Sequence, residues 1–430
     1  MPVGSVPIKL DSARLEREIL PASGRSAPIA ERAADAAQSS AARPIRVALV
    51  LYRDNLHVGG SLRVVEVLAN AFNPDIVEAH LVFAYGEPGP VAKNSKVPCH
   101  FLRARGPHDV LGWVRARRMV AQLDPDILHF HNPVYWLHAA LAGTRYKKLA
   151  HLHGPFFPAT MSWLSRLLVA QTHRLVDAEV CLSREMRNMV LQLGWGTPDR
   201  TWTVHNAIDC GSFEKIPSKH EGRAALGLPQ DCLLLGMVCR LAWYKGCRDA
   251  VRILARLDKR WHLVFCGDGP MRKYLVDVAR QEGVEHRTHF TGMLDDMRVA
   301  YGAMDASLFL SKLEPFGLII AEAMASKVPV FGLAAEGQYN DGLYPLVTPR
   351  NSVFVDRTLP GDYGSPEPSP VLDELSARIN DFGKQPEAYG PMIDEAYSWV
   401  RKRFDSKVQS ESMCEIYEAL LGRPTDAPVR

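Results

Sequence analysis

From Ile45 onward the chain alternates short aliphatic runs with segments at helical spacing; before it, no such period is evident. Ile45 to Leu51 is a run of aliphatic residues that reads as a buried strand. His57-Val58-Gly59-Gly60-Ser61 follows, and then Leu62 to Phe72 at helical spacing. Strand, glycine turn, helix is the opening unit of a doubly wound α/β domain. The alternation continues with strands at His80–Ala84, Ile127–His131, Tyr146–His153, Ala178–Leu182 and Trp202–Val204. Helices are predicted over 109–123, 161–176 and 183–193, the last opened by Ser183 as N-cap.

Residues 205–213 are polar and turn-rich and read as a hinge. The pattern then restarts, with strands at Leu233–Val238, His262–Cys266, His289–Gly292, Ala306–Leu310 and Val328–Phe331. Helices are predicted at Gly246–Leu257, at 271–282, from Phe316 or Gly317 onward, and around 372–381 and 394–422. Residues 357–370 form a Pro/Gly/Ser-rich loop. The expected organisation is a disordered or weakly helical tail over 1–43, one α/β domain over 44–208, a second over 209–395, a terminal helix over 396–422 and a short tail over 423–430.

Composition narrows the class. The 430 residues, 47% hydrophobic and 23% charged, are those of a soluble globular protein of two or three domains. A net charge of +3 with no dense Lys/Arg tract gives no footprint for nucleic acid. No apolar run reaches the roughly 18 residues of a membrane span, and the N-terminus lacks a signal-peptide core. The eight cysteines form no C-x-x-C pair, and Cys181, Cys232, Cys239 and Cys266 lie in apolar runs, so a reduced, cytoplasmic protein is expected.

The densest chemistry lies in Glu314-Pro315-Phe316-Gly317-Leu318, continuing to Glu322. Backbone N–H groups at a helix start there suit a phosphate, and Gly317 allows close approach. Two carboxylates, one before the helix and one about a turn and a half into it, can accept hydrogen bonds from polyols on either side of that phosphate. A capped surface helix is the plainer reading of the pair alone. Arg240 and Lys245, on a loop after a buried strand, can bracket a diphosphate or can be two solvated cations. Gly59 and Gly60 can meet an anion or make a plain turn. His129/His131 and His151/His153 each place two histidines on one face of a strand. The reading preferred over a metal site is that one strand-end histidine, His131 before His153, faces a cleft. Asp124-Pro125-Asp126 reads as a turn rather than a metal-binding pair, and no G-x-S-x-G elbow is present. Helix 161–176 is amphipathic, which suits either the core or contact with a membrane surface.

Taken together, from about residue 45 to 422, these residues resemble the retaining glycosyltransferases of the GT-B fold, family 4. The motif is Glu-x7-Glu, here Glu314 to Glu322. It is accompanied by Gly59-Gly60, Asp126 to His131, Val204 to Asp209, Arg240…Lys245-Gly246, Gly267-Asp268-Gly269-Pro270 and Phe290-Thr291-Gly292. The resemblance implies two facing Rossmann-like domains with a cleft between them, the terminal helix crossing back to the first domain. It implies a nucleotide-sugar donor, a glycan, glycolipid or small hydroxyl acceptor, and no metal or other cofactor. Glu322 would hold the donor ribose and Glu314 the donor sugar. Arg240 and Lys245 would hold the diphosphate, assisted by backbone at Phe316, Gly317 and Leu318 and at Gly59 and Gly60. His131 would stand near the reacting centre. The chain departs from the family at Ser326-Lys327, where a glycine ends the helix in relatives; a left-handed Lys costs roughly 1 kcal/mol. It departs again at Gly332 to Tyr339, in place of a glycine-rich segment. A nucleotide-sugar epimerase, a phosphorylase with a Lys-bound pyridoxal phosphate and a non-catalytic scaffold share the same architecture.

Overall fold

The computed structural model describes residues 43–54, 60–132, 134–154, 163–312, 314, 316–334, 346–356 and 366–423. The expected N-terminal tail lies outside them save Arg43; so do Gly59, the Pro315 of the motif, residues 335–339 of the divergent segment and most of the loop at 357–370.

The first lobe runs β1 (Ile45–Arg53), α1 (Gly60–Ala71), β2 (Val77–Tyr85), α2 (Pro90–Asn94), β3 (Cys99–Phe101), α3 (Val110–Leu123), β4 (Ile127–His131), α4 (Tyr135–Ala140), β5 (Lys147–Leu152), α5 (Trp163–Arg174), β6 (Ala178–Cys181), α6 (Arg184–Gln192) and β7 (Thr201–Thr203). All its strand pairs are parallel, in the order β3-β2-β1-β4-β5-β6-β7. Helices cover both faces of such a sheet, which is why the aliphatic run Val47–Leu51 of β1 is continuous and every residue of β4 is buried. Local caps set several helix starts. Asp109 accepts from Gly112 N–H to open α3, and Ser183 accepts from Met186 N–H to open α6, as its position predicts.

The second lobe repeats the plan. It runs α7 (Lys219–Leu226), β8 (Leu233–Val238), α8 (Cys247–Arg256), β9 (Trp261–Cys266), α9 (Arg272–Gln281), β10 (Thr288–Gly292), α10 (Met297–Ala303), β11 (Ala306–Phe309), α11 (Leu318–Ala325), β12 (Val330–Ala334), β13 (Val353–Asp356) and α12 (Ser369–Lys384). Its parallel order is β10-β9-β8-β11-β12-β13, the first lobe's order without the seventh strand.

Two corrections concern the C-terminal end. The single helix expected over 394–422 is two, α13 (Gly390–Arg403) and α14 (Ser406–Leu420). The chain therefore crosses at Phe404-Asp405, not near 395. Asp405 accepts from Lys407 N–H and caps α14. The crossing lies beside the first connection between the lobes. Ile208 N–H donates to Phe404 O at 3.0 Å, and Ser406 N–H donates to Ile208 O at 2.8 Å. α13 stays with the second lobe, whereas Met413, Ile416 and Tyr417 of α14 join the core of the first, with Ile45, Val47 and Leu49. One apolar cluster runs through the junction, from Leu152, Leu182 and Met186 to Phe316, Ile320 and Phe404.

Candidate active site

In an open parallel sheet, ligands bind beyond the carboxyl ends of the strands where the order reverses. Both lobes reverse between their first and fourth strands, β1/β4 and β8/β11. The described site candidates follow those four strands. Gly60 comes after β1, and His131 ends β4. Arg240 and Lys245 follow β8; Glu314 and Gly317 follow β11.

The loop between β8 and α8 is held from two sides. The Gly267-Asp268-Gly269 turn lies under it so closely that a Cβ at Gly269 would stand 2.5 Å from Leu241 O. Leu241 N–H donates to Asp268 O at 3.0 Å, and Met271 N–H donates to Leu241 O at 3.1 Å. On the other side, Lys312 N–H donates to Tyr244 O at 2.7 Å. Bracing of this kind lets a short 3-10 turn, Trp243–Lys245, present a cation accurately. Lys245 forms a mostly buried ion pair with Glu314. Burial alone would lower the Lys245 pKa, but the charge and hydrogen bond of Glu314 outweigh it, so the ammonium is held above its ordinary value. Arg240 is exposed at the mouth of the same loop.

The helix after Glu314 begins at Leu318, one or two residues later than the sequence suggests. Gly317 takes the left-handed conformation at its N-cap (φ 87°, ψ 55°), with no side chain among the described residues capping the first turn. The tip of α11 thus keeps open N–H groups beside the Lys245–Glu314 pair. Phe316 turns its ring into the junction core, against Phe404, so only its backbone is available to a ligand. Farther along α11, Glu322 accepts from Tyr301 Oη–H at 2.8 Å. Burial pushes its carboxyl up to about 7, against the Tyr301 hydrogen bond and the charge of Arg63.

That charge comes from the other lobe. Arg63, on α1, donates to the buried Glu66 at 2.7 Å. Gly60 begins the same helix, and a Cβ on it would stand 3.1 Å from Leu318 Cδ1. The two helix starts meet across the cleft. Arg63 was not singled out by its sequence; it stands three residues past Gly60, on the turn that follows the glycines.

The four strand histidines form one buried stack, which the separate pairs did not reveal. β4 and β5 pair with His131 opposite His151, so His129, His131, His151 and His153 share a face. His131 Nδ1 lies 2.8 Å from His153 Nε2, and His129 Nδ1 lies 2.8 Å from Tyr417 Oη. Burial, with smaller effects from neighbouring rings, holds these imidazoles neutral: His129 is lowered to about 3, and His131 and His151 lie well below the usual range. His153 is lowered to about 4 by burial, with the nearby Asn206 side chain pulling the other way. Asp124 and Asp126 are structural, as read. Asp124 caps α3 and pairs with Arg145, and Asp126 accepts from Arg46 N–H at 2.9 Å. All eight cysteines are free.

Two family models match the chain. Glycosyltransferase Family 4 covers residues 58–212, and Glycosyl transferases group 1 covers residues 218–340. Among curated relatives, a glycosyltransferase of Methanocaldococcus jannaschii is 31% identical over 159 residues, 35% of this chain and 40% of that one. The glycogen synthase of Mycobacterium tuberculosis is 29% identical over 225 residues, 48% of this chain and 51% of its own. A lipopolysaccharide core biosynthesis glycosyltransferase of Rhizobium meliloti is 30% identical over 164 residues, 38% and 46% of the two chains. The chain spans about half the length of the curated relatives it matches. Among solved structures, Anabaena HepE in complex with UDP-glucose superposes with a TM-score of 0.70 at 20% identity, over 88% of this chain and 100% of that one. A glycosyltransferase from Rickettsia africae gives 0.72 at 14% identity, over 89% and 100%. These likenesses show the two-domain GT-B fold.

Proposed function

The chain belongs to the GT4-type glycosyltransferases of the GT-B fold, and from that premise we propose that it moves a sugar from a nucleoside-diphosphate sugar to a hydroxyl acceptor, with retention at the anomeric carbon. The observation that carries the reading is the Lys245–Glu314 pair beside the uncapped tip of α11, with Gly60 of the opposite lobe packed close to Leu318.

The demanding step is departure of the nucleoside diphosphate, because negative charge grows on its phosphate oxygens. Arg240, Lys245 and the N–H groups at the start of α11 meet that charge, so the transfer itself needs no metal ion. Glu314 keeps Lys245 charged and aimed until the donor arrives, then accepts from the donor sugar. Glu322 accepts from the ribose diol. The acceptor oxygen bonds to the anomeric carbon on the face the diphosphate leaves. The anomeric C–O bond breaks with its electron pair going to phosphate, and the acceptor proton passes to a phosphate oxygen.

His131 acts as a positioning residue in this reading: its ring is hydrogen-bonded to His153, the residue after β5. His131→Asn, which keeps a donor near the Nδ1 position, should retain more activity than His131→Ala, with the difference falling on kcat rather than KM. Because HepE was solved with UDP-glucose, a UDP-hexose is the first donor to test. A surface glycan or glycolipid is the acceptor class, with the reaction at the cytoplasmic side of a membrane. Val110 and Leu111, each 70% exposed on α3 beside exposed Arg105 and Arg118, suit an anionic membrane surface better than the amphipathic α5 does. No helix among the described residues is long and apolar enough to cross one.

The test is a thermal-shift panel of nucleoside diphosphates and their sugars, followed by turnover of the selected donor. Lys245→Ala and Glu322→Ala should each lower turnover about a hundredfold or more while the fold persists, the typical loss for one preorganised electrostatic partner. Near-normal turnover in both would overturn the reading.

A further inference from the structure

We propose that the first lobe binds one divalent transition-metal ion of the zinc class between His129, His131 and His151. One nitrogen from each of these rings lies within 4.8 Å of the others, in a buried position. Bonds of about 2.0–2.1 Å to a tetrahedral ion bring such nitrogens to about 3.4 Å of one another, so closing the site requires the rings to turn inward, out of the parallel stacking of His129 on His151.

The pattern of hydrogen bonds decides which atoms are free. His129 Nδ1 is engaged by Tyr417 Oη and His131 Nδ1 by His153 Nε2, each at 2.8 Å. If each Nδ1–H donates, the lone pair of each ring is left on Nε2, and those two Nε2 atoms are buried with no partner among the described residues. Both nitrogens of His151 are likewise buried without a partner among the described residues. Burying polar atoms unsatisfied costs free energy, and a metal ion would satisfy one on each of three rings. Ligating histidines typically fix their tautomer by donating the other ring N–H to a neighbour, which is the role Tyr417 and His153 fill here.

Convergence is what distinguishes this group. His138 is equally buried and unpartnered, but it stands against Phe130, and the described cluster does not include it. The pairs His80/His100 and His262/His289 bond ring to ring and offer two ligands each. The bound ion would clamp β4 to β5 and to the crossing helix α14. The inference does not rest on the transferase reading.

Chelator-treated full-length protein, titrated with Co2+ alone, should give a saturable visible absorption of tetrahedral character at one equivalent. Zn2+ should displace it and raise Tm by mass action. His151→Phe keeps an aromatic ring in the stack and removes both nitrogens; it should lose the absorption and weaken binding at least a hundredfold. His262→Ala should bind as the parent does. X-ray absorption of the zinc-loaded parent, which needs no variant, should give a nitrogen shell with imidazole scattering. No saturable binding by the parent, unchanged binding by His151→Phe, loss on His262→Ala, or a sulfur-dominated shell would each overturn the proposal.

Discussion

At the scale of single residues, Glu322 carries the most consequence. Its carboxyl rises from the ordinary 4.5 to about 7 because burial disfavours the charge more than Tyr301 and Arg63 favour it. The sign for stability follows from linkage: the folded value lies above the unfolded one, so the contribution is complete below about pH 4.5 and is lost as pH rises through about 7. Glu322→Gln should therefore be more stable than the parent at pH 8 and lose that part of the decline in Tm, as a pH series of melts would record. Ligand binding should run the opposite way. A ribose diol donates to the carboxylate, so nucleoside-diphosphate affinity should climb through pH 7 in the parent and stay weak and flat in Glu322→Gln, measured by calorimetry. Lys327 is a second case. Its position after α11 raised the expectation of a strained left-handed residue, and it has φ 55°, with Nζ reaching Asp394 at 3.1 Å and lying over Tyr397. Lys327→Gly should stabilise the protein by about 1 kcal/mol by chemical denaturation, since the exposed ion pair it gives up contributes little.

At the scale of elements, the βα units that begin with β1 and β8 were readable because each combines a continuous aliphatic run, a glycine or basic turn and a helical period. α2 and α4 were not readable: at five and six residues they are too short to show a period. The break between α13 and α14 escaped because Val400 and Phe404 continue an apolar spacing that Met413 and Ile416 resume. A signal was present in Arg401-Lys402-Arg403 followed by Asp405, a basic helix end and then an N-cap. The histidine stack escaped for a different reason: which residues of β4 and β5 face one another is a matter of register, and no single strand carries it. The glycine turn at 267–269 supports the loop of Arg240 and Lys245 by close backbone approach. Gly269→Ala would put a methyl group against Leu241 O. It should lower kcat/KM roughly tenfold or more through displacement of Lys245, the size expected when a charged contact is misplaced, while the first lobe is unaffected by hydrogen exchange.

At the scale of the whole molecule, the two sheets share one strand order, and their reversal points supply the described cleft residues. The repeat was legible as architecture, since the aliphatic alternation restarts after the polar stretch at 205–213. That the return crossing runs beside the outgoing one, Ile208 against Phe404 and Ser406, was not legible, because it depends on two segments nearly two hundred residues apart. Two adjacent strands of chain make a hinge that bends about one axis more readily than it twists. Donor binding should therefore tighten the cleft chiefly by closing it. A spectroscopic distance between labels on α3 and α9 should shorten on adding nucleoside diphosphate, and no change would count against closure.

The placement of Tyr417 has a consequence for how this protein is made. Its ring is fully buried in the first lobe, beside Phe72 and bonded to His129, with Met413 and Ile416 alongside. Domains generally fold as units in the order they leave the ribosome. Here the lobe translated first cannot complete its interior until α14, more than two hundred residues further along the chain, has been made. Nascent chains halted before Ser406 should be cut by protease within 45–204, and chains in which α14 has left the ribosome should be protected in both halves together. The first lobe would then be exposed to aggregation until α14 emerges, and slowing the ribosome over that interval would lengthen the hazard rather than relieve it.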